Sequence, residues 1–207
     1  MSTPLAATLN GFALCASLIM AIGAQNAFVM RQGIARKQQF LTALTCSLCD
    51  LVLMSAGVLG MGKILQSMPQ LQFWMALGGA LFVFAYGALA LKKSLHPETL
   101  DSKQLQQGLD RPWAVVAAGL GFSILNPHAL LDTVVLVGGI GAQQASIDQP
   151  FFLLGAVGFS FVWFFSLAFA ASQLSPWFAK PMAWRILDGL IALMMFAIGV
   201  SLLRSIY

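Results

Sequence analysis

Two acidic residues, Asp50 and Asp132, lie deep within apolar stretches of the sequence, where no Lys or Arg stands at a comparable depth. A carboxylate is costly to hold out of water without a partner, so something from outside the chain must neutralise its charge. Two candidates are a proton and a cationic substrate, and a transporter can alternate between them on one carboxylate. We therefore predict that both aspartates bind substrate and carry proton coupling.

The polar run before Asp132 predicts an interrupted helix. Pro127 lacks the N–H that would bond the carbonyl of Ser123, and its ring crowds that turn. Backbone groups left free inside a membrane are tolerated only where they are buried in protein or line a cavity. We predict that Asn126 and His128 belong to this site. His128 stands four residues before Asp132 and could bond that carboxylate, or instead a carbonyl freed by Pro127.

Two adjacent amides, Gln25 and Asn26, follow Gly23 near the end of the first apolar stretch. They predict either a helix that ends at Gly23 or one that is interrupted there and completed by residues 26–30. The alternative is that they mark the membrane–water interface. We include both amides among the predicted substrate-binding residues.

The elements that must position these side chains are membrane-spanning helices. The chain is 59% hydrophobic and 9% charged, with a mean hydropathy of +0.83, so it has too little polar surface for a soluble globule. A span needs roughly 20 apolar residues. Six stretches qualify: 5–30, 40–62, 71–91, 113–141, 151–174 and 182–203. The net charge of +4 lies in the connections between them, so no nucleic-acid partner is expected.

The distribution of basic residues predicts the orientation. With both termini outside, nine Lys and Arg residues are cytoplasmic and two are not, which is a strong positive-inside bias. The cytoplasmic set is Arg31, Arg36, Lys37, Lys92, Lys93, Lys103, Arg111, Lys180 and Arg185, and the opposite pair is Lys63 and Arg204.

The longest polar segment, 92–112, predicts a cytoplasmic linker between two halves, 1–91 and 113–207. Because each half has three spans, the halves enter the membrane in opposite senses, as in inverted-repeat transporters. The predicted fold is therefore an all-α integral membrane protein of six helices in two inverted three-helix repeats, with the first helix of each half interrupted.

The helix breaks indicate the substrate class. A half-helix N-terminus suits a carboxylate, its C-terminus suits an ammonium, and free amino acids carry both groups. The alternatives are a thiol oxidoreductase that uses Cys46 and Cys49, or an exporter of another small cation. We expect the two cysteines to be dispensable, and no metal or other cofactor, since two aspartates without converging His or Cys make a poor transition-metal site.

Two further residues receive structural interpretations. Asp188 follows Arg185 by three residues, which predicts an ion pair between them at the membrane interface. Trp163 lies too deep in its stretch to anchor at an interface, and packing is its expected role.

Three motifs in order resemble the bacterial lysine/arginine exporter family: residues 23–33 (GAQNAFVMRQG), 49–51 (CDL) and 125–132 (LNPHALLD) continuing to 138–141 (GGIG). The resemblance covers the full length. It implies an inner-membrane carrier that exports basic L-amino acids, with Asp50 and Asp132 as the functional acids and a homo-oligomer as one possible assembly. The family usually has proline where this chain has Ala24, which predicts a milder first break, and it is also discussed with five spans.

Overall fold

The computed structural model describes residues 3–20, 23–61, 69–95, 109–179 and 181–204, and every regular element within them is helical. The all-α class is therefore confirmed for this part of the chain. The helices, in chain order, are α1 (Pro4–Ile19), α2 (Ala24–Ile34), α3 (Gln39–Ala56), α4 (Pro69–Leu95), α5 (Pro112–Ile124), α6 (Pro127–Leu130), α7 (Gly138–Ala142), α8 (Gln149–Gln173) and α9 (Pro181–Arg204). A wide turn, Gly57–Met61, follows α3, a π-helical segment, Leu131–Val137, joins α6 to α7, and a 3-10 turn, Ser175–Ala179, follows α8.

Several helices have the length and apolar character of membrane spans. Three of the described segments could cross a bilayer alone, namely Gln39–Gly60, Gln149–Gln173 and Met182–Arg204. The bent pair α1 and α2 makes a fourth if it is counted as one span. The helices Pro112–Ile124 and Leu131–Ala142 are apolar but shorter. This fits an all-α membrane protein, and the number of six spans stays a prediction.

Buried aromatic rings hold the helices next to the two interruptions against each other. Phe122 of α5 has its ring centroid 5.1 Å from that of Phe28 in α2. Phe82 and Tyr86 of α4 each approach Phe122 with a centroid distance of 4.9 Å, nearly edge to face. Aromatic pairs in this geometry contribute about 0.5–1.5 kcal/mol each beyond their buried area. The cluster therefore places α2 and α5 side by side.

Glycines allow the turn Gly57–Met61, which follows α3, to cross α7 closely. A Cβ atom added to Gly57 would lie 2.8 Å from the Cα atom of Gly138, so neither position has room for a side chain. In the sequence, Gly57 lies two turns beyond Asp50 on about the same face, and Gly60 extends this stripe of small residues, which predicts close helix packing. At Gly57 this is confirmed. The same role for Gly60 is wrong, because a Cβ atom there would lie within 4 Å of no atom in the described part of the chain. Gly60 instead has a φ of 104°, a conformation that suits glycine at the end of a helix.

We expect Gly57→Ala to destabilise the protein by about 1–3 kcal/mol, because the added methyl group overpacks the crossing of the turn Gly57–Met61 and α7. Gly139→Ala is the matched control, since a Cβ atom there would meet none of the described residues within 4 Å and Ala favours a helix. Thermal unfolding of the purified variants in detergent measures the difference. Equal melting temperatures for the two variants would contradict this account of the crossing.

Helices extend into both ends of the predicted linker, 92–112, which stays a prediction. Helix α4 continues to Leu95, so Lys92 and Lys93 belong to its last turn, and α5 begins at Pro112. Basic side chains in a last turn interact favourably with the helix dipole, which favours continuation of the helix there. Residues 96–108 of the linker, including His96, fall outside the described residues.

Candidate functional site

The first interruption separates α1 from α2. Helix α1 ends at Ile19, α2 begins at Ala24, and the two axes are bent by 82°. The predicted break before α2 is therefore confirmed, and a bend milder than that of family members with proline at position 24 stays a prediction. The Asn26 side chain bridges the gap, because its Nδ2 donates to the backbone oxygen of Ile19 at 2.8 Å. That carbonyl ends a helix and so lacks a helical donor.

The second interruption separates α5 from α6, as Pro127 predicts. Helix α5 ends at Ile124, and Pro127 occupies the first position of α6. A missing N–H costs nothing at that position, because the first N–H groups of a helix have no intrahelical acceptor. The backbone oxygen of Asn126 accepts from the N–H of Leu130 at 3.1 Å, which begins the new helix.

A π-helical segment, Leu131–Val137, carries Asp132. Such wide turns are uncommon and are found frequently at functional sites. Asp132 is partly exposed there, while the next residue, Thr133, is buried and donates its hydroxyl hydrogen to the Ala129 oxygen at 2.6 Å. The helix is therefore irregular at the point where it presents the second predicted acid.

The two interruptions meet at one cavity of about 300 Å³. Five of the six predicted substrate-binding residues line it, namely Gln25, Asn26, Asp50, Asn126 and Asp132. The side chain of the sixth, His128, lies outside the described part of the structure. The apolar walls include Leu18, Ile19, Phe164 and Ile198. Residues far apart in the sequence thus share one site.

Asp50 is the most buried acid of the cavity, with 2% of its surface exposed. The hydroxyl of Ser160 in α8 donates to its Oδ2 at 2.7 Å, and Ser160 is fully buried. This bond fixes one carboxylate oxygen. Sequence reasoning missed Ser160, because one serine within an apolar helix is most often bonded to its own backbone.

The two amides of the first interruption also have partners on other helices. Gln25 donates through Nε2 to the Ser123 hydroxyl of α5 at 3.2 Å. Asn26 accepts at Oδ1 from the indole N–H of Trp163 in α8, at 3.1 Å. Packing is the role expected for Trp163, and its ring does stack on Phe159. Packing is only part of its role, because its N–H also bonds a cavity residue.

A buried ion pair lies further along α2, at Arg31. Its Nη2 is 3.0 Å from Oδ1 of Asp188 in α9, with side-chain exposures of 8% and 6%. The predicted pair of Asp188 with Arg185 is wrong. Arg185 instead donates through Nε to the backbone oxygen of Ser94 in α4, at 3.1 Å. The packing of α2 against α9 brings Arg31 to Asp188. Asp188 therefore pairs with Arg31 and not with Arg185, which is its neighbour on the same helix.

The cysteines behave as small apolar residues. Cys46 and Cys49 are buried and free, as is Cys15. In the described ranges, no three His, Cys, Asp or Glu side chains converge as metal ligands would. The polar side chains among the described residues that line the cavity are two carboxylates, three amides and the hydroxyl of Thr133.

We expect Pro127→Ala to weaken transport through the cavity more than it weakens folding. Proline fixes the backbone at the start of α6 and prevents α5 from continuing, whereas Ala favours a continuous helix. Initial transport rates and thermal unfolding of the same purified variant measure the two effects. Normal transport by this variant would show that Pro127 is only structural.

Comparisons with known proteins agree over nearly the whole chain. The family model described as LysE type translocator matches residues 16–206. The arginine exporter protein ArgO of Salmonella enteritidis is 40% identical over 198 residues, which cover 95% of this chain and 92% of the relative. ArgO of Yersinia enterocolitica is 38% identical over 201 residues, with coverages of 97% and 98%. No solved structure matches.

Proposed function

Because this chain belongs to the LysE type translocator family, whose members are transporters and not enzymes, we propose that it is a secondary transporter that exports arginine, lysine or both from the bacterial cytoplasm. Its similarity to arginine exporters supports this substrate class. The observation that carries the proposal is the convergence of Asp50, Asp132 and three amides on one cavity.

The size and charges of the cavity suit a basic amino acid. Its volume of about 300 Å³ lies at the lower end of the range, roughly 300–1,000 Å³, that small-molecule sites occupy. A basic amino acid carries two cationic groups and one carboxylate. Asp50 and Asp132 supply one negative charge for each cationic group, which favours arginine and lysine over neutral amino acids.

The start of α2 suits the carboxylate of the substrate. The first backbone bond of this helix runs from the Ala27 N–H to the Gly23 oxygen, so the N–H groups of Ala24 and Gln25 belong to the turn that lacks intrahelical acceptors. A helix N-terminus also favours negative charge through its dipole. Gly23, Ala24 and Gln25 all line the cavity. We assign the carboxylate to this turn and the cationic groups to the aspartates.

Proton coupling follows from the same two acids. Export of a +1 amino acid from an interior-negative cell costs about 2.3 kcal/mol for each 100 mV. Exchange for one inward proton removes that electrical work. Burial of Asp50 suits the exchange, because desolvation disfavours a carboxylate that has neither a proton nor a cation.

The order of the elements supports two repeats. In the first half, an interrupted pair of helices, α1 and α2, comes before α3 and α4. In the second half, an interrupted run from α5 to α7 comes before α8 and α9. The last helices of the two halves, α4 and α9, pack against each other. We propose that these halves are inverted repeats in a multi-pass inner-membrane protein, with the cavity at their junction.

Proteoliposomes that contain the purified protein test the function. We expect labelled arginine or lysine to exchange for the internal amino acid, with transport accelerated by a proton gradient of opposite direction. Labelled alanine is the comparison, since its single cationic group leaves one aspartate without a partner. Failure to transport either basic amino acid, or equal transport of all three, would overturn the proposed substrate class.

A further inference from the structure

A chain of two hydrogen bonds connects α8 to the end of α1 through Asn26. The indole N–H of Trp163 donates to Oδ1 of Asn26 at 3.1 Å, and Nδ2 of Asn26 donates to the Ile19 oxygen at 2.8 Å. Asn26 and Ile19 line the cavity, whereas Trp163 is not among the lining residues. Trp163 can therefore influence the site only through the residues that it contacts.

We propose that Trp163 is a positioning residue for substrate binding: its indole N–H fixes the orientation of the Asn26 amide and, through it, the wall of the cavity at the first interruption. This inference rests on the proposed function, because it takes the cavity as the substrate site. Trp163 acts on the substrate through Asn26 and does not touch it.

The two bonds leave one orientation for the Asn26 amide. Rotation of the amide by 180° would point its NH₂ group at the indole N–H of Trp163 and its oxygen at the carbonyl of Ile19. Both hydrogen bonds would then be replaced by contacts between like groups, and Asn26 is only 8% exposed, so water cannot easily compensate. The amide therefore presents a constant arrangement of donor and acceptor to the cavity.

Helix α8 supports the site at a second point on the same face. Ser160 stands three residues before Trp163, which places both side chains on one side of the helix. Ser160 donates to Asp50 of α3, as Trp163 donates to Asn26 of α2. Phe159 stacks on Trp163 with a centroid distance of 6.1 Å and an interplanar angle of 15°. This stacking belongs to the packing of α8, whereas the bond from the indole N–H to Asn26 sets the amide of the cavity wall.

Trp163→Phe tests the inference, because it keeps an aromatic ring against Phe159 and removes the N–H. Phe159→Leu is the matched control, since it disturbs the same packing and leaves the indole N–H in place. Asn26→Ala and the double variant with Trp163→Phe complete a thermodynamic cycle. Each purified protein is reconstituted, and the KM and maximal rate of arginine exchange are measured together with its melting temperature.

We expect Trp163→Phe to raise the KM for arginine about five-fold, the effect of losing one neutral hydrogen bond, with the maximal rate within two-fold of wild type. In the Asn26→Ala background, Trp163→Phe should have no further effect on KM. Phe159→Leu should lower the melting temperature and leave KM unchanged.

An unchanged KM in Trp163→Phe would overturn the inference, as would an equal rise in Phe159→Leu or independent effects of Trp163 and Asn26. These outcomes leave the proposed function intact if the wild-type protein transports arginine. A wild-type protein that transports neither arginine nor lysine would overturn the proposed function itself, and the inference with it.

Discussion

Asp50→Asn and Asp132→Asn are each expected to abolish proton-coupled export of arginine and lysine while the amount of folded protein in the membrane stays near wild type. The amide keeps the size of the side chain but can neither carry a negative charge nor exchange a proton. Both acids line the cavity, so each variant removes one of the two charges that the cationic groups of the substrate require. Loss of one charged hydrogen bond, about 1.5–3 kcal/mol, lowers the rate by roughly 10- to 150-fold, and the loss of coupling adds to this.

Proteoliposomes with an imposed pH gradient measure this effect. Asp110→Asn is the matched control, since Asp110 is an exposed acid whose Oδ1 pairs with Lys37 at 2.6 Å, away from the cavity. That variant should transport like wild type. If Asp50→Asn or Asp132→Asn still accumulates arginine in response to the pH gradient, the substituted aspartate is not a coupling site.

Removal of one member of the buried ion pair, by Asp188→Asn or Arg31→Met, is expected to destabilise the protein by about 3–5 kcal/mol. Each change leaves the other member buried, with less than a tenth of its side chain exposed and no opposite charge in direct contact. For Asp188→Asn, Lys93 of α4 adds to the cost, because it stands near Arg31 and carries the same sign. The double variant Arg31→Met with Asp188→Leu should recover much of the loss, since apolar side chains replace a buried pair well.

Thermal unfolding of the purified variants distinguishes this pair from an exposed one. Lys37 and Asp110 form an ion pair whose side chains are 32% and 55% exposed, and loss of such a pair costs about 0–1 kcal/mol. Asp110→Asn should therefore lower the melting temperature far less than Asp188→Asn. Similar shifts in the two variants would show that the pair of Arg31 and Asp188 contributes no more than a surface contact.

The sequence alone predicts the class of the protein, the two interruptions and the members of the site. These features can be predicted from short stretches of sequence, because a polar residue deep in an apolar bilayer costs free energy. Asp50, Asp132 and the amides therefore indicate a functional site by their positions alone. Pro127 and Gly23 predict interruptions because their backbone properties act within one turn. The close approach at Gly57 follows from residue size in the same way.

The sequence predicts the wrong ion-pair partner where it places both charges on one helix. The spacing of Arg185 and Asp188 satisfies the rule for neighbours on a helix, yet Asp188 pairs with Arg31, which is 157 residues away in the sequence. A contact between neighbouring turns contributes only a few tenths of a kcal/mol, so a better-placed partner on another helix replaces it. The sequence likewise predicts only packing for Trp163, because it does not show that the indole N–H faces Asn26.

Only the tertiary structure decided which side chains support the site. Ser160 and Trp163 are single polar groups in an apolar helix, and their significance comes from the packing of α8 against α2 and α3. The fully buried amide of Gln32 likewise bonds both backbone groups of Leu109, at 2.7 and 3.2 Å, and so ties the end of α2 to the end of the predicted linker. The sequence determines that these groups need partners because burial is costly, whereas the partners themselves depend on long-range packing geometry that no local pattern encodes.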